Sequence, residues 1–309
     1  MQNTDVKTKS KVKKILLSVL CIVISLCVLL VTFGGSLGIP SWNEVFVFCG
    51  IYPDLGDDFS ASFVNVGTAD ACCIRCHGRN ILVDTGTSMS YEKLSAYLRR
   101  NDFESFDAVI ISHPDSDHIG GMSEIIEDFT VEEIYMTSLP DNLIPVTDAY
   151  TEFENSVKEN KIKVTYPAVG STVQIGDMSL KFLSPTKSYN STNDNSLVFR
   201  LTYGENSILF TGDISTEVEE DLLNSDTELK SDVLKVAHHG SKTSSSAEFL
   251  KAVDPEISIV SVGTSDDGLP DYNTMARINN YSKSLYGTNT DKTIVITSDG
   301  KNLSVQTDA

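Results

Sequence analysis

The stretch His113-Pro114-Asp115-Ser116-Asp117-His118 places four potential metal ligands within six residues. It directly follows an apolar run at 108–111, so a buried strand that ends in a turn would direct these side chains toward one point. Imidazole and carboxylate groups at this spacing suit zinc, manganese or iron, and their number favours a pair of ions. A solvated acidic turn is the alternative interpretation. Complementary ligands further along the chain favour the metal site.

Polar side chains also mark the ends of other predicted strands. These are Asp84 after 81–83, Asn193-Asp194-Asn195 before 197–200, Asp213 after 208–210, and His238-His239 after 234–237. Four of the chain's five histidines lie in the two histidine clusters, and this concentration favours a functional site. Asp84 and Asp194 are explained equally well as ordinary turn formers.

Strand and helix patterns predict one α+β domain over 60–309. Antiparallel hairpins, which turn at 176–177 and 298–300, are combined with strand–helix units after residue 232. Such a combination predicts two packed sheets with helices on their outer faces. The predicted strands are 61–66, 71–76, 81–83, 108–111, 133–136, 172–175, 180–183, 197–202, 208–210, 233–237, 257–262, 293–297 and 303–306. The predicted helices are 91–98, 122–126, 146–160, 245–253 and 274–281.

The first 33 residues predict a membrane anchor. Residues 1–14 carry five lysines and one aspartate, and the uncharged run 15–33 is 19 residues long, nearly enough for a helix to cross the hydrocarbon layer. The lysines predict a cytoplasmic N-terminus and an extracellular domain, joined by a stalk at 34–59. A cleaved signal peptide, which would release a secreted domain, is the alternative.

The charge of the chain argues against one class of partner. The formal net charge is −19, and because residues 1–14 contribute +4, the rest of the chain carries −23. The sequence shows no basic stripe, and an acidic domain repels polyanions at low salt. We therefore expect no stable binding of nucleic acid, although bound metal ions would supply local positive charge.

Three of the six cysteines, Cys72, Cys73 and Cys76, lie in one predicted strand. Cys73-x-x-Cys76 has no second pair that would complete a structural zinc site. Strand alternation places Cys72 and Cys76 on one face and Cys73 on the other, which favours buried free thiols over a redox pair. An extracellular location would also permit a disulfide.

Three motifs in this order resemble the metallo-β-lactamase superfamily: His-Pro-Asp-Ser-Asp-His at 113–118, Thr-Gly-Asp at 211–213 and His-His-Gly-Ser at 238–241. More narrowly, the chain resembles the branch formed by the metallohydrolase domain of the competence DNA-uptake protein ComEC and its stand-alone relatives. The Gly-x-x-Asp turn at 67–70 and the stretch 81–86 are similar to that branch as well. The resemblance covers about 60–306.

The resemblance implies a four-layer αββα sandwich that holds one or two divalent metal ions, zinc or manganese, at the edge of its sheets. The implied ligands form two groups: His113 and Asp115, with Asp194 nearby, for one ion, and Asp117 and His118, with His238 or His239, for the other. Asp213 would bridge the ions, and Asp84 would orient the ligands. The residues implied to be catalytic are Asp117, His118 and Asp213.

Two positions depart from the family pattern. Asp115 stands where many members have histidine, and the harder carboxylate favours manganese over zinc. Leu269 stands where the ComEC branch often has the histidine of a Gly-His-Pro sequence. The residue that would contact substrate or donate a proton in that branch therefore differs here.

The implied chemistry is hydrolysis of a phosphoester. A pair of bound cations lowers the pKa of a shared water and holds the oxygens of the ester, and Asp117 would hold or receive the proton. Lys242, Ser244 and Ser245 precede a predicted helix and would hold a phosphate oxygen. An N-capping serine cluster beside an exposed lysine explains these three residues equally well.

We therefore expect a membrane-anchored, outward-facing, metal-dependent hydrolase that acts first on DNA or oligonucleotides, with other short phosphodiesters nearly as suitable. One membrane run cannot form a DNA channel, so a role in uptake would need a separate channel protein. Hydrolysis of a cell-envelope ester, a lactone or a lactam is the second expectation. A degenerate module that binds metal or ligand without catalysis is the third.

Overall fold

The computed structural model describes residues 2–33, 42, 45–46, 49, 55–56, 58–264 and 268–308. The chain divides into two compact units, Met1–Asp54 and Leu55–Ala309. Most of the stalk predicted at 34–59 lies outside the described residues. The second unit contains every residue expected to form the site.

The first unit contains a long helix, α1, Gln2–Phe33, which includes the run predicted to cross the membrane at 15–33. Within the described part of the chain, no helix is both long enough and apolar enough to span a membrane. The transmembrane helix expected from the sequence is therefore not confirmed.

The second unit combines short strands and short helices. Its strands are β1 Phe59–Phe63, β2 Cys72–Cys76, β3 Arg79–Val83, β4 Ser105–Phe106, β5 Ala108–Ile111, β6 Thr130–Val131, β7 Glu133–Met136, β8 Lys163–Thr165, β9 Thr172–Ile175, β10 Met178–Ser184, β11 Val198–Tyr203, β12 Asn206–Phe210, β13 Val233–Lys235, β14 Ile257–Val260, β15 Ser284–Gly287, β16 Ile294–Ser298 and β17 Leu303–Thr307. Its α-helices are α2 Tyr91–Arg100, α3 Ser116–Ile119, α4 Met122–Asp128, α5 Asp148–Asn160, α6 Thr216–Leu223, α7 Ala247–Val253, α8 Tyr272–Tyr281 and α9 Thr288–Asp291.

Two mixed sheets form the centre of this unit. The strand order is β17-β16-β1-β2-β3-β5-β7-β8 in the first sheet and β15-β14-β13-β12-β11-β10-β9 in the second. Pairing changes from antiparallel to parallel at β3 in the first sheet and at β12 in the second. The C-terminal ends of these two strands lead directly to Asp84 and Asp213. Such changes of strand connection are common places for ligand sites in α/β sheets.

The two sheets pack face to face, and helices cover the outer face of each. Aromatic rings fill the space between the sheets: the Phe63 and Phe210 rings are 6.0 Å apart, and the Phe199 and Phe210 rings are 4.7 Å apart. A second buried cluster joins the first sheet to α2, α4 and α5, and a third joins the second sheet to α6, α7 and α8. This four-layer αββα arrangement confirms the fold class expected from the sequence.

The strand that leads into the His113 motif is buried on both faces. In β5, Ala108 and Ile110 face the other sheet, while Val109 and Ile111 face the helices. A strand covered on both sides has an unbroken apolar sequence. This apolar run is the feature from which β5 was predicted. Its end at Ile111 brings the motif to the edge of the sheet.

The three cysteines of β2 are buried, and none forms a disulfide. Cys72 and Cys76 face the other sheet and Cys73 faces the helices, as strand alternation predicts. Burial raises the pKa of the Cys73 thiol far above its usual range. These cysteines therefore pack as small apolar side chains.

The fifth histidine, His77, links the two sheets through a turn of each. It lies between β2 and β3, and its Nδ1 is 2.8 Å from Oδ2 of Asp177 in the turn between β9 and β10. Its Nε2 is 3.3 Å from Oδ1 of Asp58, which precedes β1. Hydrogen bonds to Asp177 and then to Asp58 raise the pKa of His77, because only the protonated ring donates to both carboxylates.

We expect His77→Gln to lower the Tm slightly near pH 6 and to leave it unchanged near pH 9. A raised folded-state pKa means that the stabilisation is fully present below the unfolded-state pKa, about 6.5, and is lost as the pH rises through the folded-state value. The Tm of both proteins across this range tests the expectation, with a chelator present to keep cations from Cys76, His77 and Asp177. Equal decreases at both pH values would contradict it.

Candidate metal centre

Four residues predicted to bind metal meet in one cluster at the sheet edge. One ligand atom from each of Asp117, His118, Asp213 and His239 lies within 4.8 Å of the other three. Nε2 of His118 is 3.4 Å from Oδ2 of Asp213 and 3.6 Å from Oδ2 of Asp117. Nε2 of His239 is 3.1 Å from the same Asp117 oxygen and 3.7 Å from Oδ2 of Asp213. Asp213 therefore faces both histidines.

Three buried atoms here have no hydrogen-bond partner among the described residues: Nε2 of His113, Nε2 of His118 and Oδ1 of Asp213. The His113 and His118 rings are adjacent, with centroids 4.1 Å apart. Buried polar atoms without partners are costly, and imidazole nitrogens beside a carboxylate oxygen are the ligands that zinc and similar cations prefer. The residues present therefore fit bound divalent metal ions.

Asp84 orients His118 through its carboxylate. Oδ2 of Asp84 is 2.9 Å from Nδ1 of His118 and accepts a hydrogen bond from the Ser112 hydroxyl at 2.8 Å. Oδ1 accepts the main-chain N–H of Ser112, also at 2.8 Å. Because Nδ1 of His118 faces this carboxylate, its Nε2 lone pair is directed into the cluster.

A left-handed turn after β13 gives the two adjacent histidines different environments. His238 has φ 50° and His239 has φ 52°. His239 is buried, and its Nδ1 donates to the carbonyl of Ser261 at 2.7 Å, which leaves Nε2 for the cluster. The His238 side chain is 31% exposed, with Nε2 3.9 Å from Oδ2 of Asp213. The sequence left this pair undecided, and the geometry favours His239 as the ligand and His238 as a residue of the rim.

Gly212 allows Asp213 to approach the first sheet closely. It has φ 51°, and a Cβ atom there would lie 2.7 Å from the Ser196 side chain. The main-chain N–H of Asp213 donates to the Ser196 hydroxyl at 3.1 Å, and the same oxygen is 3.4 Å from Nδ1 of His113. Ser196 was not predicted as a site residue, yet it connects Asp213 to His113.

The cluster keeps its carboxylates ionised. Burial opposes protonation of His118, but the carboxylates of Asp213 and Asp84 outweigh it and raise its pKa well above the usual value. Burial opposes ionisation of Asp213, but His118 and His239 hold its pKa well below the usual range. Burial also opposes ionisation of Asp117, but the hydrogen bond with His239 and the nearby His118 together lower its pKa to about 2. Metal binding requires ionised carboxylates and neutral imidazoles, so a bound cation would replace the proton on His118.

Two predicted ligands lie apart from this cluster. Asp115 is half-buried, and its Oδ2 is 3.7 Å from Nε2 of His113. The Asp194 carboxylate is occupied elsewhere, since Oδ1 accepts the main-chain N–H of Ser215 at 2.9 Å and Oδ2 accepts the Ser191 hydroxyl at 2.8 Å. Asp194 thus holds the loop that precedes α6.

The three residues predicted to bind phosphate have different surroundings. Lys242 is exposed, whereas Ser244 is buried and its hydroxyl donates to a main-chain carbonyl at 3.1 Å. The N–H groups of Ser245 and Ser246 donate to the two carboxylate oxygens of Glu219, at 2.5 and 2.8 Å. The sequence left this segment open between a phosphate site and an N-capping serine cluster; in the structure the N-terminus of α7 binds a carboxylate of the chain itself, and Ser246 caps the helix.

The segment with the altered Gly-His-Pro sequence packs against the second sheet. Leu269 is partly buried against the cluster that joins this sheet to its helices. Asp271 caps α8, because its Oδ1 accepts the main-chain N–H of Thr274 at 2.9 Å. Leu269 therefore contributes packing at this position.

Asp70 and Lys235 were missed as site residues. Asp70 is 5% exposed, and its Oδ2 is 2.7 Å from Nζ of Lys235, which is 4% exposed. The Asp70 carboxylate also lies 3.8 Å from Nδ1 of His239 and 3.9 Å from Nδ1 of His118. Two sequence signals point to the pair: the aspartate of the Gly-x-x-Asp turn, and a lysine within an apolar strand that leads to the histidines.

Comparison with known proteins identifies similar chains. The family model described as the metallo-beta-lactamase superfamily matches residues 70–264. ComE operon protein 3 of Bacillus subtilis (strain 168) is 28% identical over 232 residues, covering 69% of this chain and 29% of that protein. Recombination protein 2 of Haemophilus influenzae is 31% identical over 232 residues, covering 73% of this chain and 27% of that protein. The chain thus spans less than a third of the length of these relatives.

Among solved structures, the metallo-beta-lactamase fold protein YhfI from Bacillus subtilis superimposes with a TM-score of 0.52 at 16% identity. The match covers 77% of this chain and 98% of that one. At this level of identity the similarity concerns the fold alone.

We expect Asp84→Asn to weaken metal binding by about 10- to 100-fold, because the amide no longer accepts both Ser112 and His118. Titration of Zn²⁺ or Mn²⁺ against a competing chelator measures the Kd. Asp107→Asn is the matched control, since Asp107 lies at the opposite end of β5 and pairs with Arg79 at 2.6 Å. An Asp84→Asn protein that binds metal like the wild type would contradict the role given to Asp84.

A second pair of variants compares Asp213, a ligand in the cluster, with Asp194, which binds a loop. We expect Asp213→Asn to lose at least one bound metal ion per chain and Asp194→Asn to keep the wild-type content, because only Asp213 meets the other ligands. Elemental analysis of the purified proteins gives the content, and the Tm of each shows whether the fold survives. An equal loss in both variants would return Asp194 to the ligand set.

Proposed function

Because the chain belongs to the metallo-beta-lactamase superfamily and carries a ComEC-type domain, we propose that this metal-dependent hydrolase cleaves phosphoesters, with DNA or oligonucleotides as its first substrate class. One observation supports the proposal most. The unpaired Nε2 atoms of His113 and His118 and the carboxylate of Asp213 come together, buried, at one edge of the two sheets.

The ligand residues would bind the cations, and the residues of the rim would contact the substrate. His113, Asp117, His118, Asp213 and His239 would hold the cations. Bound divalent cations supply Lewis acidity at a phosphoryl oxygen and lower the pKa of water. The Asp117 side chain is 33% exposed, so it also faces the solvent side, where it can accept a hydrogen bond from water or substrate.

His238 and Lys242 would contact the substrate at the rim. The His238 side chain is 31% exposed beside Asp213, and Lys242 is exposed four residues later. Both can donate a hydrogen bond to a phosphate oxygen. Ser244 and Ser245 are engaged within the chain, so Lys242 is the residue of the expected phosphate site that would still reach the substrate, together with His238.

DNA is the first substrate class for two reasons. The sequence motifs resemble the domain of a competence DNA-uptake protein, and one relative is named Recombination protein 2. The charge of −23 outside the basic tail limits the form of that substrate. It opposes tight binding along a duplex and favours short strands or brief contacts at the metal centre.

We further propose that residues 1–33 attach the domain to a membrane, with a cytoplasmic N-terminus and the domain outside. The lysines before residue 15 and the exposed apolar side chains of α1, such as Leu16 and Leu20, support this. A role in DNA uptake would then need a separate channel protein. Fractionation of cells that express the full chain or the chain without residues 1–33 tests the attachment, since only the full chain should sediment with membranes.

An activity panel tests the proposed chemistry. We expect the protein loaded with Mn²⁺ or Zn²⁺ to hydrolyse bis-(p-nitrophenyl) phosphate and single-stranded oligonucleotides. His118→Ala and Asp213→Ala should each reduce kcat/KM by about a hundredfold or more, since each removes a ligand that positions the cations. Asp107→Asn, remote from the centre, should retain full activity.

The same panel includes a lactam, a lactone and a carboxylic ester. Turnover of one of these without turnover of any phosphodiester would replace the proposal with the envelope-ester or lactam alternative. Bound metal without turnover of any substrate would favour the non-catalytic module. Phosphodiester cleavage that survives both alanine substitutions would show that another site performs it.

A further inference from the structure

A buried ion pair lies behind the metal centre. Nζ of Lys235 is 2.7 Å from Oδ2 of Asp70 and donates to the carbonyl of Val236 at 3.0 Å. Both side chains are nearly inaccessible, at 5% exposure for Lys235 and 7% for Asp70. The small cavity beside them has a volume of about 10 Å³, enough for roughly one water molecule. Bulk water therefore does not screen these two charges.

The pair is joined to both histidines of the cluster. The Asp70 carboxylate is 3.8 Å from Nδ1 of His239 and 3.9 Å from Nδ1 of His118, on the side of each ring opposite the Nε2 atom that faces the cluster. The main-chain N–H of Asp70 donates to the carbonyl of Asp117 at 3.1 Å. Its own carbonyl accepts the N–H of Gly86 at 2.8 Å. Asp70 thus contacts the His113 motif and the loop after β3 while it faces both ligand rings.

Lys235 offsets one of the formal negative charges around the centre. The carboxylates of Asp70, Asp84, Asp117 and Asp213 lie around the four-residue cluster, and that of Asp115 lies outside it, 3.7 Å from Nε2 of His113. Together with the ammonium of Lys235 they sum to −4, which two divalent cations would balance. Without Lys235 the same set would be one charge too negative for two cations, and without Asp70 it would be one charge too positive.

We propose that Asp70 and Lys235 form a positioning pair whose opposite buried charges set the cation affinity of the centre from behind His118 and His239. Oδ2 of Asp70 is engaged by the Lys235 ammonium, so neither side chain would coordinate a cation, and neither would touch a substrate at the rim. The pair acts through the electrostatic potential at the ligands. It also acts through the hydrogen bond that the main-chain N–H of Asp70 donates to the carbonyl of Asp117. The inference rests on the proposed function only in requiring divalent cations at the cluster.

A charge role and a packing role predict opposite results for single substitutions. Asp70→Asn leaves the Lys235 ammonium unbalanced, so the Kd for Mn²⁺ or Zn²⁺ should rise by about tenfold or more. Lys235→Met leaves the Asp70 carboxylate unbalanced, so the Kd should fall by a similar factor. Asp70→Asn combined with Lys235→Met removes both charges and should return the Kd to within about threefold of the wild type.

The experiment titrates each metal alone into the purified full chain against a chromophoric chelator, without any substrate. Lys235→Met can impair folding, because it leaves a buried carboxylate unpaired. The neutral double variant avoids this problem and is compared directly with Asp70→Asn. Lys230→Met is the matched control, since Lys230 pairs with Asp254 at an exposed site. The Kd of this variant for the metal should equal that of the wild type.

Three results would overturn the inference. They are a weaker affinity in both single variants, a double variant no better than Asp70→Asn, and a wild-type protein that binds no divalent cation. Opposite changes in Kd in a protein that cleaves no phosphodiester would uphold this inference and remove the proposed substrate class. The two proposals therefore fail separately.

Discussion

The carboxylate of Asp84 is the contact on which the rest of the site depends. It accepts two hydrogen bonds from Ser112, at the end of the neighbouring parallel strand, and lies 2.9 Å from Nδ1 of His118. One side chain thereby sets the spacing of two strand ends and the direction of a ligand ring. The remaining ligands of the cluster, Asp213 and His239, come from the second sheet. The centre therefore exists only where the two sheets pack against each other, which they do through rings such as those of Phe63 and Phe210.

Charge is the second constraint, because this edge buries several carboxylates within a few ångströms of one another. Buried charges are tolerated only when they are paired, and a buried pair gives little net stability in return. Asp213 and Asp117 face histidines, while Asp70 faces the Lys235 ammonium. These buried charges add little to the stability of the fold, but they provide the negative charge that binds cations. It also explains why a lysine interrupts the otherwise apolar strand β13.

Local patterns predicted most of the elements, with errors at the ends that approach the site. The strand predicted at 61–66 ends at Phe63, because the following residues form the loop that carries Asp70. The strand predicted at 233–237 ends at Lys235, because His238 and His239 adopt left-handed backbone angles that no strand accommodates. The helix predicted from residue 245 begins at Ala247, after Ser245 and Ser246 have turned to donate to Glu219. At each of these ends a contact with a distant residue decides the boundary.

By itself, the sequence determined the α+β class, most of the elements and the chemical type of the ligands, because apolar periodicity and strand-end residues are local properties. It missed the short strands β4, β6, β8 and β15 and the helices α3, α6 and α9. Only the tertiary structure decided which of those residues meet. It brought His239 rather than His238 into the cluster, engaged Asp194 in a loop, and paired Asp70 with Lys235, which lies 165 positions away. The physical reason is that ligand choice depends on which strand ends share one edge of the two packed sheets. It also depends on backbone angles at single residues, and neither leaves a periodic trace in the sequence.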